Sequence, residues 1–122
     1  MPLRRELEIA PLLREIKHAG IKNVVRLTAD LHYTAAHYFD PVKAKYADFS
    51  PFWEFVSVPL NAGGFDPNKI DATFGMQVMR QKGPTEVNAS PTNGMQFFGQ
   101  VDIDAKTLAM SVTLKDLAGT SL

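Results

Sequence analysis

Two side chains in this 122-residue sequence, Asp30 and His32, carry donors that can share a metal ion, a carboxylate oxygen and an imidazole nitrogen. They follow the run 24–29, a short apolar stretch with two β-branched valines that reads as a buried strand of an α/β sheet. In such sheets ligands gather beyond the carboxyl ends of strands. Spaced by two on an extended backbone, the two side chains point the same way. The doublet alone has a second reading: Asp30 caps a turn and His32 is a hydrogen-bonded histidine, because catalytic metals usually take three or more protein ligands.

Other candidates carry less chemistry. His37, among Ala36 and Tyr38, is a packed histidine or a group supporting the doublet from behind. His18 falls in the last turn of a helix, where it suits free carbonyls. Asp102 and Asp104 fit hairpin-turn chemistry better than a cation site. Gly63-Gly64 has neither a strand before it nor a Lys-Ser or Lys-Thr after it, so it is no phosphate-binding loop. Ser57 and Ser111 lack a matching His and Asp arrangement, and Met76, Met79, Phe97 and Phe98 read as core.

The elements that must position these groups follow from pattern. Residues 4–19 form a helix with Ile9, Leu12, Leu13 and Ile16 on one face and Gly20 as its stop; Pro11 either starts the regular helix or kinks it. Helix, short connection and strand make half of a βαβ unit, so a parallel strand is expected before the helix. Residues 34–39 are extended, Asp40-Pro41 opens a short helix to about Tyr46, and 52–57 is a strand. Residues 59–67 form a loop, Asp66-Pro67 caps a further helical turn, 74–80 is a short strand, and 82–93 is the candidate mobile loop. Period-two alternation over 96–115, broken by Asp104-Ala-Lys-Thr107, marks an antiparallel hairpin. Asp116 to Gly119 makes another turn.

Composition sets the limits. The length suits one domain, 1–122, and 45% hydrophobic with 21% charged residues is ordinary for a globular chain. Thirteen basic residues balance thirteen acidic ones, so no overall field recruits nucleic acid or anionic lipid. No cysteine is present, no apolar run reaches membrane-spanning length, and the charged first ten residues do not form a signal peptide.

The run from Asn23 to Pro41 closely resembles the alkaline phosphatase D (PhoD-like) family of metallophosphoesterases. The likeness continues through Asp48-Phe-Ser-Pro-Phe-Trp-Glu-Phe-Val-Ser57, Pro59-Leu-Asn-Ala-Gly63, Thr73-Phe-Gly75, Gln96-Phe-Phe-Gly-Gln-Val-Asp-Ile-Asp104 and Leu114-Lys-Asp-Leu117. It covers nearly the whole chain and matches the C-terminal portion of the family. The resemblance implies an α/β (α+β) fold: part of a metallophosphoesterase-type β-sandwich with flanking helices and a C-terminal antiparallel hairpin. It also implies a secreted or periplasmic phosphomonoesterase and phosphodiesterase using calcium and iron. Asp30 and His32 match the family's late Asp-x-His ligand pair, with Tyr33 and His37 as supporting neighbours. The family's other ligands fall in an N-terminal half with no counterpart here, so this portion alone is expected to be inactive. Its expected partners are a phosphate ester for the complete enzyme, and the missing half or a second copy for the exposed strands. Arg26 stands where the family usually has an apolar or aromatic residue, and a charge in a core strand needs a partner.

Overall fold

A computed structural model describes residues 5–122. The described chain has one α-helix, α1 (Arg5–His18), and six strands: β1 (Val25–Thr28), β2 (Thr34–Phe39), β3 (Phe52–Ser57), β4 (Met76–Lys82), β5 (Phe97–Ile103) and β6 (Met110–Asp116). The first four strands form one sheet in the order β1-β3-β2-β4, and β5 and β6 form a separate antiparallel hairpin. The fold is therefore α+β with a C-terminal hairpin, as the sequence implied.

β3 organises the sheet because its side chains alternate cleanly. Phe52, Glu54 and Val56 are buried on one face, while Trp53, Phe55 and Ser57 turn to the other. It pairs in parallel with β1, Arg26 opposite Glu54 and Leu27 opposite Phe55, and antiparallel with β2, His37 opposite Glu54. The buried face meets α1 through a cluster of Leu13, Phe39, Phe49, Phe52 and Phe74. Phe39 and Phe52 stack with centroids 4.5 Å apart and 8° between planes. Each such ring contributes roughly 1.5–3 kcal/mol on burial, enough to fix the helix on the sheet. At the other end Tyr33, Ala35 and Val56 form a smaller cluster.

α1 runs unbroken through Pro11, so the proline neither starts nor ends it. It stops where expected. Gly20 is left-handed at φ 71°, its N–H bonds the Lys17 carbonyl at 3.0 Å and the Ile21 N–H bonds Ile16 at 3.2 Å, a Schellman closure.

Several expectations need correction. β1 is an edge strand, with Leu27 60% exposed, because among the described residues only β3 pairs with it. The short helix after Asp40 is a single 3₁₀ turn, Pro41–Lys43, capped by the Asp40 side chain at 2.9 Å from the Val42 N–H. Asp66-Pro67 opens no helical turn; residues 65–70 are irregular. Met79 lies 52% exposed on β4 and is not core. The loop after β4 holds another 3₁₀ turn, Pro91–Asn93, and is tied back by the Gly64–Ala89 bridge.

The hairpin register agrees with the alternation: Gly99 opposes Leu114, Val101 opposes Val112 and Ile103 opposes Met110. Gly99 lies against Ser57, so the hairpin rests on the face of β3 opposite the helix. No helix among the described residues is long and apolar enough to cross a membrane.

Candidate functional site

β1 ends at Thr28, and the chain then makes an irregular crossing to β2. Within it Asp30 and His32 both adopt the left-handed region, at φ 73° and 61°. Asp tolerates that conformation better than most residues, because its short polar chain bonds locally; His does so less often. The two positions are thus not part of an extended strand. Strand alternation does not set their direction, contrary to the expectation from their spacing.

The loop after β3 fixes His32. Its Nδ1 bonds the Gly63 carbonyl, and its main-chain oxygen accepts from the Phe65 N–H at 3.0 Å. The Phe65 ring meets the imidazole edge-on, with centroids 5.0 Å apart and planes at 88°. Gly64 in turn exchanges two main-chain bonds of 2.9 Å with Ala89, which anchors this loop to the next. A neutral imidazole donating from Nδ1 keeps its lone pair on Nε2. That arrangement suits a metal-binding histidine, whose second nitrogen normally donates to a carbonyl or carboxylate. Asp30 is exposed, and its carboxylate makes no side-chain hydrogen bond among the described residues.

Tyr33 and His37 occupy other surroundings. Tyr33 is 3% exposed in the smaller core cluster. Burial pushes its phenol up from the usual tyrosine range; a main-chain bond at Asn68 opposes this, and the negative charge of Glu54 adds to it. His37, 2% exposed, places Nδ1 3.1 Å from Glu54 Oε1, while Arg26 lies 3.3 Å from the other oxygen of the same carboxylate. The three side chains form a row across β2, β3 and β1, and the Arg26 guanidinium also lies 5.9 Å from the Phe52 ring centroid. Arg26 therefore has the partner that a charge in this strand requires.

The remaining sequence candidates are structural. His18 and Lys17 both face Asp48, holding its carboxyl below the usual range chiefly through the Lys17 hydrogen bond. Asp104 closes the hairpin turn by accepting from the Lys106 and Thr107 N–H groups. Asp102 accepts from Gln100.

Sequence reasoning gives Phe65 and Glu54 no role, and weighs Gly63 only as part of a phosphate-binding loop, which it sets aside. Gly63 acts through its carbonyl, which carries no side-chain signature. Phe65, an aromatic within a Gly- and Pro-rich loop, was the one available hint. Among the described residues no three His, Cys, Asp or Glu side chains converge as a metal-holding group.

A family model described as PhoD-like phosphatase matches residues 1–114. Neither the curated proteins nor the solved structures gave a match.

Proposed function

The chain belongs to the PhoD-like phosphatase family, and from that premise we propose that it supplies Asp30 and His32 to the metal centre of a phosphoric-ester hydrolase. The observation that carries this reading is the Nδ1 bond of His32 to the Gly63 carbonyl, which leaves Nε2 as the free donor. Bound calcium and iron would polarise phosphoryl oxygens and make a nucleophile available at neutral pH.

This chain's own residues do the positioning. Gly63 selects the tautomer of His32, Phe65 limits the tilt of its ring, and Asp30 offers an exposed carboxylate free of competing side-chain bonds among the described residues. Two donors are too few for a multinuclear centre. A complete centre would need further ligands besides these two, and little turnover is expected from these residues alone.

A chromogenic phosphate ester with calcium and iron added tests this. Negligible hydrolysis by the isolated chain is expected, with weak metal binding by calorimetry that Asp30→Ala or His32→Ala removes. Robust turnover abolished by His32→Ala would refute the need for further ligands. Metal binding unchanged in both variants would remove the site assignment.

A further inference from the structure

The carbonyl that orients the His32 imidazole belongs to a residue with no side chain of its own to anchor it. Gly63 and Gly64 follow one another, and glycine leaves the main-chain rotations at both positions nearly free. A fixed acceptor at this point must be held from outside the pair. After Gly63, the two main-chain bonds between Gly64 and Ala89 do this. Before it, residues 58–63 form no helix or strand that could.

Gln96 supplies the missing anchor. It is 3% exposed at the entry to β5, and its side-chain amide is engaged wholly by main chain. Oε1 accepts from the Ala62 N–H at 3.1 Å. Nε2 donates to the Ala62 carbonyl at 2.9 Å and to the Met95 carbonyl at 3.2 Å, so both of its N–H groups are used. The pair of bonds to Ala62 is what two facing strand residues exchange, made here by a side chain. The next residue, Phe97, is fully buried, and its N–H bonds the Pro59 carbonyl at 2.7 Å. The start of the hairpin therefore holds the loop at two points, and the Ala62 clamp lies one residue from the His32 acceptor.

We infer that Gln96 is a positioning residue for His32, fixing the Gly63 carbonyl through Ala62 and so deciding which ring nitrogen stays free. Burying a primary amide is costly unless its hydrogen bonds are made, and an apolar side chain of the same length would fill the space. The choice of an amide here thus follows from the loop it holds. Asn88 completes the setting. Its side-chain oxygen occupies the space that a Cβ on Gly63 would take, so the loop between β4 and β5 closes over the glycine. The inference rests on the reading of His32 as a metal ligand, and its test reads the ring without metal or activity.

Nitrogen chemical shifts, at a pH where imidazole is neutral, give the ratio of the two His32 tautomers. Gln96→Met keeps the length of the side chain and removes its hydrogen bonds. Gln96→Glu keeps the shape and the acceptor, but as a carboxylate cannot donate to the two carbonyls. Each is expected to lower the ratio of the Nδ1-protonated to the Nε2-protonated form about fivefold, the weight of one typical hydrogen bond. Phe49→Leu, in the cluster against α1, is expected to lower stability and leave the ratio unchanged. In the wild type, the Ala62 amide is expected to exchange with solvent about tenfold or more slower than an unstructured one, a measurement that needs no variant to fold. An unprotected Ala62 amide overturns the inference. So does an unchanged ratio in folded Gln96→Met and Gln96→Glu, or the same change in Phe49→Leu. Those outcomes leave the His32 assignment standing, whereas a wild-type ring protonated mainly on Nε2 would remove the assignment and the inference together.

Discussion

The imidazole of His37 lies with Nδ1 3.1 Å from Oε1 of Glu54, directly across the β2–β3 ladder, and both side chains are buried. On the far side of the same carboxylate, Arg26 is 40% exposed at the side chain. The row is therefore dry at one end and wet at the other, and its members should not contribute equally. Glu54→Ala leaves a buried histidine without its partner and an arginine without its counter-ion, and is expected to cost about 3 kcal/mol. Arg26→Ala removes a half-exposed partner and is expected to cost about 1 kcal/mol or less. Urea unfolding at fixed protein concentration measures both. Equal costs, or a larger cost for Arg26→Ala, would mean that the row does not act through burial.

The bond between His32 and Gly63 predicts a tautomer. Neutral His32 should carry its proton on Nδ1, with Nε2 unprotonated, a distinction that nitrogen chemical shifts of the imidazole resolve. Phe65→Ala removes the edge contact at 5.0 Å while leaving the Gly63 carbonyl in place. It is expected to broaden the His32 ring signals without changing the tautomer. A majority of the Nε2-protonated form would mean that the loop does not present the free nitrogen outward, and would weaken the metal-ligand assignment directly.

The hairpin and the sheet meet at one tight point. A Cβ built on Gly99 would run into the Ser57 hydroxyl, so β5 approaches β3 as closely as it does because position 99 lacks a side chain. Gly99→Val is expected to destabilise the protein by about 1–3 kcal/mol, since the hairpin must lift from the sheet to admit the new methyl groups. Ser57→Ala shortens the opposing side chain, and in the Gly99→Ala background it should recover part of the loss. A double-mutant cycle by chemical unfolding gives the coupling between the two positions. Additive costs would place the strain elsewhere.

What the sequence made legible was whatever depends on local pattern. The 3.6-residue periodicity of Ile9, Leu12, Leu13 and Ile16 gave the helix, although Leu12 is 59% exposed; Gly20 gave its end, and the alternation around Val101 and Val112 gave the hairpin, whose turn is longer than Asp104 to Thr107 because Ile103 pairs with Met110. What it did not yield depends on which strands become neighbours. The apolar run 24–29 looks like an interior strand, yet among the described residues only β3 pairs with it, so Leu27 is left exposed. Arg26 looked costly until the parallel register set it opposite Glu54. For the candidate site, the residue types at 30 and 32 were readable and their conformation was not. Both leave the extended region once β1 has ended, and the group that orients His32 is a main-chain carbonyl 31 residues away.

Asp104 closes the β5–β6 turn, and its charge state sets how firmly the turn holds. Its carboxylate accepts from the Thr107 N–H at 2.6 Å, the Thr107 hydroxyl at 2.9 Å and the Lys106 N–H at 2.9 Å. These bonds, the Thr107 N–H first, hold its pKa below the ordinary value of 3.8. A carboxylate whose pKa is lower folded than unfolded contributes stability that is fully present above the unfolded value. That contribution disappears as the pH falls through the folded one. Asp104→Asn keeps the shape and removes the charge, so it should destabilise the protein at neutral pH, and the gap from wild type should narrow once the pH falls below 3.8. Asp48 and Asp71 are depressed in the same direction, but they are common to both proteins and cancel in the difference. The gap should also survive added salt, because the donors are in direct contact with the carboxylate and not remote charges. Urea midpoints for the two proteins across this pH range provide the check. A gap that stays constant down to acid unfolding would show that the turn is held by shape alone.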